Sequence, residues 1–328
     1  MDFLTFTLTK DDDGRRLDRI LRKLNPELSM SQLYKAVRSG LVKVDGKKVR
    51  PDFRSSQGSI ITIADFLVKK SENSEKKACP LLENLIILRT NELLFINKPY
   101  DIPVQKSQKD SNALDEIVRS DYNFFHQKQK SLSFEPGPLH RLDRRTTGLI
   151  AFSQNLVGAQ EFSFALKNHL FIKTYIALVQ GKIEKNKIWH DEILKSQEKS
   201  SFYTVKVFES NNTEKKSNTQ KKHAFTEVFP LGYGKFNEIP VTLTKFIIHT
   251  GRTHQIRSQS AFHGFPLLGD TAYGAKKIIS EREFYLHSYS IEFKEKFSFE
   301  LPQKITCPLD DEFKKIIEQT LIKLPCEL

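Results

Sequence analysis

The stretch HRLDRRTTGLIAFS, residues 140–153, sets four charged side chains and a glycine directly before an apolar run. Such a run reads as a strand within a sheet, which leaves the charged half in a loop at the strand's edge. The preceding FEPGP, residues 134–138, forms turns and supports that placement. In this loop one carboxylate, Asp143, lies among Arg141, Arg144 and Arg145. Fixed positive charge favours its ionised form, so it is poorly suited to act as a general acid. It can be a nucleophile, an electrostatic stabiliser or a salt-bridge partner. The last is by far the commonest fate of an Asp beside Arg. Against it, crowding like charges in one loop costs stability unless something anionic visits.

Outward from this stretch, LIIL (85–88), LLFINKP (93–99), TYIALVQG (174–181) and VTLTKFIIHT (241–250) also read as strands. Helical spacing falls between them at 112–119 and 157–168. The mixture lacks the regular alternation of βαβ units and predicts an α+β fold around a mixed, largely antiparallel sheet. No internal repeat is found. The polar segment 209–222, ESNNTEKKSNTQKK, predicts a mobile surface loop.

The first 68 residues read differently. FLTFTL (3–8) alternates as a strand, and RRLDRILRKL (15–24) carries Leu17, Ile20, Leu21 and Leu24 at helical spacing. SQLYKAVRSG (31–40) predicts a second helix, with Ser29 or Ser31 as its cap and Gly40 just past its end. LVKVDGKKV (41–49) predicts a hairpin turning at Asp45-Gly46, and residues 60–63 a closing strand. The charged segment KKSENSEKKACP reads as a linker. The expected division is therefore 1–68 as a small unit, 69–80 as linker and 81–328 as the main domain.

The chain has 52 Lys and Arg against 40 Asp and Glu, a net charge of +12, which points to a polyanionic partner. Between Arg15 and Arg54 twelve basic residues face four acids. Arg19, Arg22, Lys35 and Arg38 on the helices and Lys43, Lys47 and Lys48 on the hairpin can form one face that tracks phosphates. The opening MDFLTFTLTKDDDG lacks the layout of a signal peptide, and no run of about 20 apolar residues exists to span a membrane. A cytoplasmic protein is expected. The three cysteines form no CxxC pair and share no spacing with His, which predicts neither a metal site nor a disulfide framework.

Several further segments carry chemistry. Tyr175 in KTYIALVQG sits in an apolar strand, where it is either core or a ring for stacking a base. TGRTHQIRSQ (250–259) leaves a strand through a glycine turn and enters a helix, with Thr253 as the expected cap and Arg257 in its first turns. His254 reads as a hydrogen-bonding or packing residue, and LLGDTAYG (267–274) as a turn supporting the pocket.

With HRLD-xx-T-[ST]-G-L, these segments resemble the RluA-type pseudouridine synthases over roughly residues 84–295. Residues 16–63 resemble the alpha-L RNA-binding motif of ribosomal proteins and RNA-modifying enzymes. The resemblance implies that Asp143 is the catalytic aspartate, that Tyr175 packs against the target uracil and that Arg257 pairs with Asp143. It implies that Arg141 fills the gap left when the uridine flips out. It also implies that no metal or other cofactor is used. Hydrolysis of a glycosidic bond usually takes two carboxylates, one delivering water, whereas isomerising uridine turns the detached uracil and rejoins it through C5. One ionised Asp then suffices, as nucleophile at ribose or base or in assisting loss of the 2′ proton. Within the family the N-terminal stretch is most similar to the type acting on large-subunit ribosomal RNA, and a monomer is expected. Alternatives are a synthase for transfer RNA or another ribosomal site, or a non-catalytic RNA-binding assembly factor. The chain departs from the family at Asp101, usually Gly, and Gln105, often His.

Overall fold

The computed structural model describes residues 2–68, 80–106, 112–126, 130–195, 205–209, 221–320 and 322. All but the last residue of the expected linker 69–80 lies outside the described residues, as does the polar segment 209–222 except at its ends.

The N-terminal unit runs β1 (Phe3–Thr7), α1 (Leu17–Leu24), α2 (Met30–Ser39), β2 (Val42–Val44) and β3 (Ile60–Ala64). Its antiparallel sheet has the order β1-β3-β2. Leu17, Ile20 and Leu21 of α1 meet Leu33, Ala36 and Val37 of α2 over Val42, Ile61 and Ile63, all buried. Ser29 caps α2 by accepting from Gln32 N, and Gln32 Oε1 accepts in return from Ser29 N. Gly40 ends the helix at φ 83°, in the left-handed region that glycine adopts without strain. Asp45 and Gly46 turn with positive φ as their sequence predicts, but the expected hairpin shrinks to one bridge, Val44 to Lys47. The reason lies at the start of α1, whose free N–H groups at Leu17 and Asp18 donate to the carbonyls of Phe53 and Pro51. That contact draws the outgoing arm away from β2.

The main domain continues with α3 (Pro80–Glu83), β4 (Ile86–Arg89), β5 (Leu93–Lys98), α4 (Leu114–Phe125), β6 (Thr147–Ser153), α5 (Leu156–Lys167), β7 (Phe171–Gln180) and β8 (Lys187–Lys195). It then forms β9 (Val205–Glu209), β10 (Lys222–Phe236), β11 (Ile239–Ile248), α6 (Gln255–Phe262), β12 (Leu286–Phe293), β13 (Lys304–Thr306) and α7 (Asp311–Gln319). The strands make one sheet, β4-β5-β6-β12-β7-β11-β10-β8-β9, with β13 added to β12. Among the described residues only β6 and β12 pair in parallel. Neighbouring residues such as Phe95 and Ile96, or Leu149 and Ile150, enter different apolar clusters, so both faces of the sheet are covered. Gly148 has φ 99°, and a Cβ there would lie 2.3 Å from the Ser288 carbonyl oxygen. A glycine is required for β6 to approach β12 this closely, and it stands five residues after Asp143.

Two acids tie the N-terminal unit to the main domain. Asp12 is fully buried and accepts from Ser131 Oγ at 2.7 Å, Ser133 N at 2.8 Å and Thr9 N at 3.0 Å. Asp11 accepts at 2.8 Å from Leu156 N, in the first turn of α5. Burial works to raise the Asp12 pKa, but the hydrogen bonds from Ser131, Ser133 and Thr9 prevail and hold it below the usual carboxylate value. The contribution is therefore present above the unfolded-state pKa and is lost as pH falls through the folded-state one. Asp12→Ala is expected to cost about 2–4 kcal/mol, since it strands Ser131 and Ser133 without their acceptor. Calorimetry at neutral pH should then show two separate transitions, and the unaltered chain should approach that behaviour in acid.

Candidate active site

Three segments distant in sequence meet around a cavity of about 340 Å³. The 140–146 loop supplies Arg141 and Asp143, β7 supplies Lys173 and Tyr175, and the turn into α6 supplies Arg252, His254 and Arg257. Asp143 is the one carboxylate among the described residues lining it.

The loop is held from below by Lys98, the last residue of β5. Its ammonium is buried and donates to the carbonyls of Arg144 at 2.7 Å and Pro99 at 2.8 Å. Burial pushes this lysine's pKa down to about 7, with Asp143 and Asp101 opposing. A turn follows, closed by Thr146 N donating to Asp143 O. The arginines flanking Asp143 have other partners: Arg144 Nε lies 2.9 Å from Asp101 Oδ1, and Arg145 pairs with Glu283. Arg141 is exposed at the cavity's edge. The departure at Asp101 has a physical account, because its φ of 60° is a glycine-like conformation that Asp tolerates. Its carboxylate then becomes the partner of Arg144.

Tyr175 is buried in β7 opposite Phe246 of β11 and Ser288 of β12. Burial pushes its phenol well above the ordinary value, which a hydrogen bond with Ser288 only partly offsets. The ring is neutral throughout the working range of pH.

Helix α6 has a polar sequence, QIRSQSAF, yet Gln255 through Ser260 are all buried. Gln259 donates to Asp191 Oδ2 at 2.6 Å and accepts from Thr226 Oγ1 at 2.6 Å. Gln255 accepts from Thr250 Oγ1 and Arg252 N and donates to Thr226 Oγ1. The network satisfies the buried amides and fixes the helix on β8 and β10. The cap differs from expectation: His254, at φ 53°, occupies the N-cap position in place of Thr253. Gln255 does the work of a capping side chain by binding the Arg252 N–H.

Arg257 is the largest difference from the residue roles that the resemblance implies. Its fork goes to Asp270, with Nε 2.7 Å from Oδ2 and NH2 2.8 Å from Oδ1, and not to Asp143. The rings of Tyr273 and Phe284 lie 4.9 and 4.4 Å from the guanidinium carbon. Asp143 acts on Arg257 through charge alone, while its ionic neighbour within 4 Å is His254 Nε2, at 3.8 Å. His254 Nδ1 is 2.9 Å from the Tyr273 hydroxyl. Burial lowers the His254 pKa against the pull of Asp143, so the imidazole is neutral near pH 7. Sequence marked the 267–274 turn as pocket support, but nothing local to it could assign Asp270 to Arg257.

Because Arg257 is almost wholly buried, removing its partner strands a charge. Asp270→Leu is expected to destabilise the fold by about 3–5 kcal/mol, read from the urea midpoint. The double variant Arg257→Met/Asp270→Leu should recover most of the loss.

A basic cleft with a single carboxylate among the described residues and a buried tyrosine, built on a mixed sheet beside a small basic unit, fits an RNA-modifying enzyme. Residues 92–262, more than half of the chain, match the RNA pseudouridylate synthase family, and residues 15–61 match the S4 domain. The chain belongs to the RNA pseudouridylate synthase family and is an isomerase of uridine in RNA. It is 26% identical over 323 residues to the ribosomal large subunit pseudouridine synthase C of Pasteurella multocida (strain Pm70), covering 95% of this chain and 92% of the relative. The protein of the same name from Rickettsia conorii (strain ATCC VR-613 / Malish 7) is 29% identical over 291 residues, covering 86% and 89%. Among solved structures, human RNA pseudouridylate synthase domain containing 4 superposes with a TM-score of 0.61 at 18% identity. It covers 75% of this chain and 96% of that one, and shows the shared fold.

Proposed function

We propose that this enzyme converts uridines of large-subunit ribosomal RNA to pseudouridine, with Asp143 as the group that starts the reaction. One observation carries the reading: among the described residues, the cavity is lined by Asp143 as its single acid and by Arg141, Lys173, Arg252 and Arg257. A glycoside hydrolase needs a second carboxylate to deliver water, and an isomerase does not. Asp143 attacks ribose or base or assists loss of the 2′ proton; the N1–C1′ bond breaks, the uracil turns and rejoins C1′ through C5, and the C5 hydrogen then leaves as a proton to solvent while N1 takes one up. Tyr175 offers the ring against which uracil is held. Arg257, tied to Asp270, supplies fixed positive charge beside Asp143 without being consumed in a bond to it. Exposed Arg141 takes the place of the flipped uridine, offsetting the few kcal/mol that unstacking costs.

In this reading residues 1–68 grip the RNA and 81–328 carry the chemistry, joined through 69–80. The separate sheet and core of the first unit and its S4 match support the division. The names of the relatives support the choice of large-subunit RNA. The enzyme works in the cytoplasm as a monomer; among the described residues no helix is long and apolar enough to cross a membrane.

Tritium release from RNA labelled at uracil C5 tests the substrate, with large-subunit ribosomal RNA and transfer RNA offered in parallel. Release from the ribosomal RNA alone is the expected result. Release from transfer RNA alone would overturn the substrate assignment and leave the chemistry.

A further inference from the structure

Two cations in the cavity, Lys173 and Arg252, have no role in the scheme above, and Arg252 donates through Nε to the His223 carbonyl. Lys173 lies two residues before Tyr175 on β7, so both side chains project from the same face of the strand, about 7 Å apart. Both line the cavity. Among the described residues, no carboxylate lies within 4 Å of the Lys173 ammonium and none of its protons is donated in a hydrogen bond. The Phe171 ring lies 5.9 Å from it, and the lysine's charge adds to burial in lowering the pKa of His140. Gly251 of the facing loop lies close by, where a Cβ would come 3.2 Å from the Lys173 Nζ. Burial alone pushes its pKa down to about 8, which still leaves most of it charged at neutral pH.

A half-buried ammonium with no ionic partner among the described residues contributes little to the free protein. It becomes an asset when a ligand brings anionic oxygens. Arg141 and Arg252 flank the same opening, so the field at this end of the cavity is positive. A base held at Tyr175 brings the sugar–phosphate backbone of its own nucleotide within reach of the neighbouring same-face position, which Lys173 occupies.

We propose that Lys173 binds a backbone phosphate flanking the target uridine and so draws the flipped nucleotide into register with Asp143. This inference rests on the reading of Tyr175 as the uracil's support. Arg141 then holds the gap in the RNA, and Lys173 holds the nucleotide that has left it.

The test is equilibrium binding of a large-subunit ribosomal RNA transcript to the full chain over a range of salt, for the wild type, Lys173→Met and Lys173→Arg. Lys173→Met should weaken binding roughly tenfold, as loss of a charge-assisted contact does. It should also reduce the slope of log affinity against log salt by about 0.7–0.9, the value for one phosphate. Lys173→Arg should keep the slope. Lys173→Met should melt no lower than the wild type, because it removes a half-buried cation that makes no ion pair among the described residues and keeps an apolar stem of similar length. An unchanged slope and affinity would overturn the proposal, as would a lowered melting temperature at unchanged slope, which would make Lys173 structural. Lost turnover at unchanged slope would put the ammonium on the uracil, and would overturn it too. The slope reads charge alone, so a failure of the Tyr175 reading, seen as full affinity and turnover in Tyr175→Leu, is distinguishable from a failure at Lys173.

Discussion

Asp143→Asn is expected to lower tritium release by roughly a thousandfold or more while leaving RNA affinity within a few fold. The substitution keeps the shape of the side chain and the turn that Thr146 N closes on the Asp143 carbonyl, so the loop stays in place. What disappears is the only carboxylate among the described residues that line the cavity. Neither a nucleophilic nor a proton-assisting role survives in an amide, and such roles contribute several orders of magnitude. Lys98 still holds the loop through the Arg144 carbonyl, so the melting temperature should change little. Retained turnover with a large loss of affinity would reverse the assignment and make Asp143 a binding residue.

Neutralising the exposed helical cations of the N-terminal unit, Arg19, Arg22, Lys35 and Arg38, is expected to have the second largest effect. All four are exposed, on α1 and α2, and none of the four lies in the apolar cluster beneath. Changing them to Gln therefore leaves the fold alone. If each contacts one phosphate, the salt slope falls by about 3 and affinity drops by orders of magnitude at low salt. Turnover at saturating RNA should be nearly unchanged, because the chemistry lies elsewhere. Lys47 and Lys48 are exposed as well and Lys43 is half-buried, so the hairpin trio forms a graded second set for the same measurement. An unchanged slope in the quadruple variant would move the RNA grip off this unit.

Much of the architecture was legible because it is written in short-range pattern. Leu17, Ile20, Leu21 and Leu24 recur at helical spacing, and α1 spans Leu17–Leu24. Ser29 and Gly40 bracket α2 because a hydroxyl and a left-handed glycine are what helix ends need. The 112–119 reading fell short of the actual α4, Leu114–Phe125, since its end is set by packing and not by a breaker in the sequence. The hairpin at Asp45-Gly46 was over-read for a related reason. The turn chemistry is local, but the carbonyls of Pro51 and Phe53 are claimed by Asp18 and Leu17 of α1, 33 and 36 residues earlier in the chain.

By itself, the sequence determined the α+β class, most of the local elements, the excess of basic residues in the N-terminal unit and, through HRLD-xx-T-[ST]-G-L, the family. These depend on periodicity, caps and charges that neighbouring residues settle between themselves. Tertiary structure alone decided which charges meet. It gave Arg257 to Asp270 and set His254 next to Asp143. It buried the polar face of α6 on Thr226 and Asp191 and locked the two units together at Asp12. A buried ion or amide is stable only with a partner at hydrogen-bond distance, and that partner is supplied by whichever distant segment the sheet brings alongside.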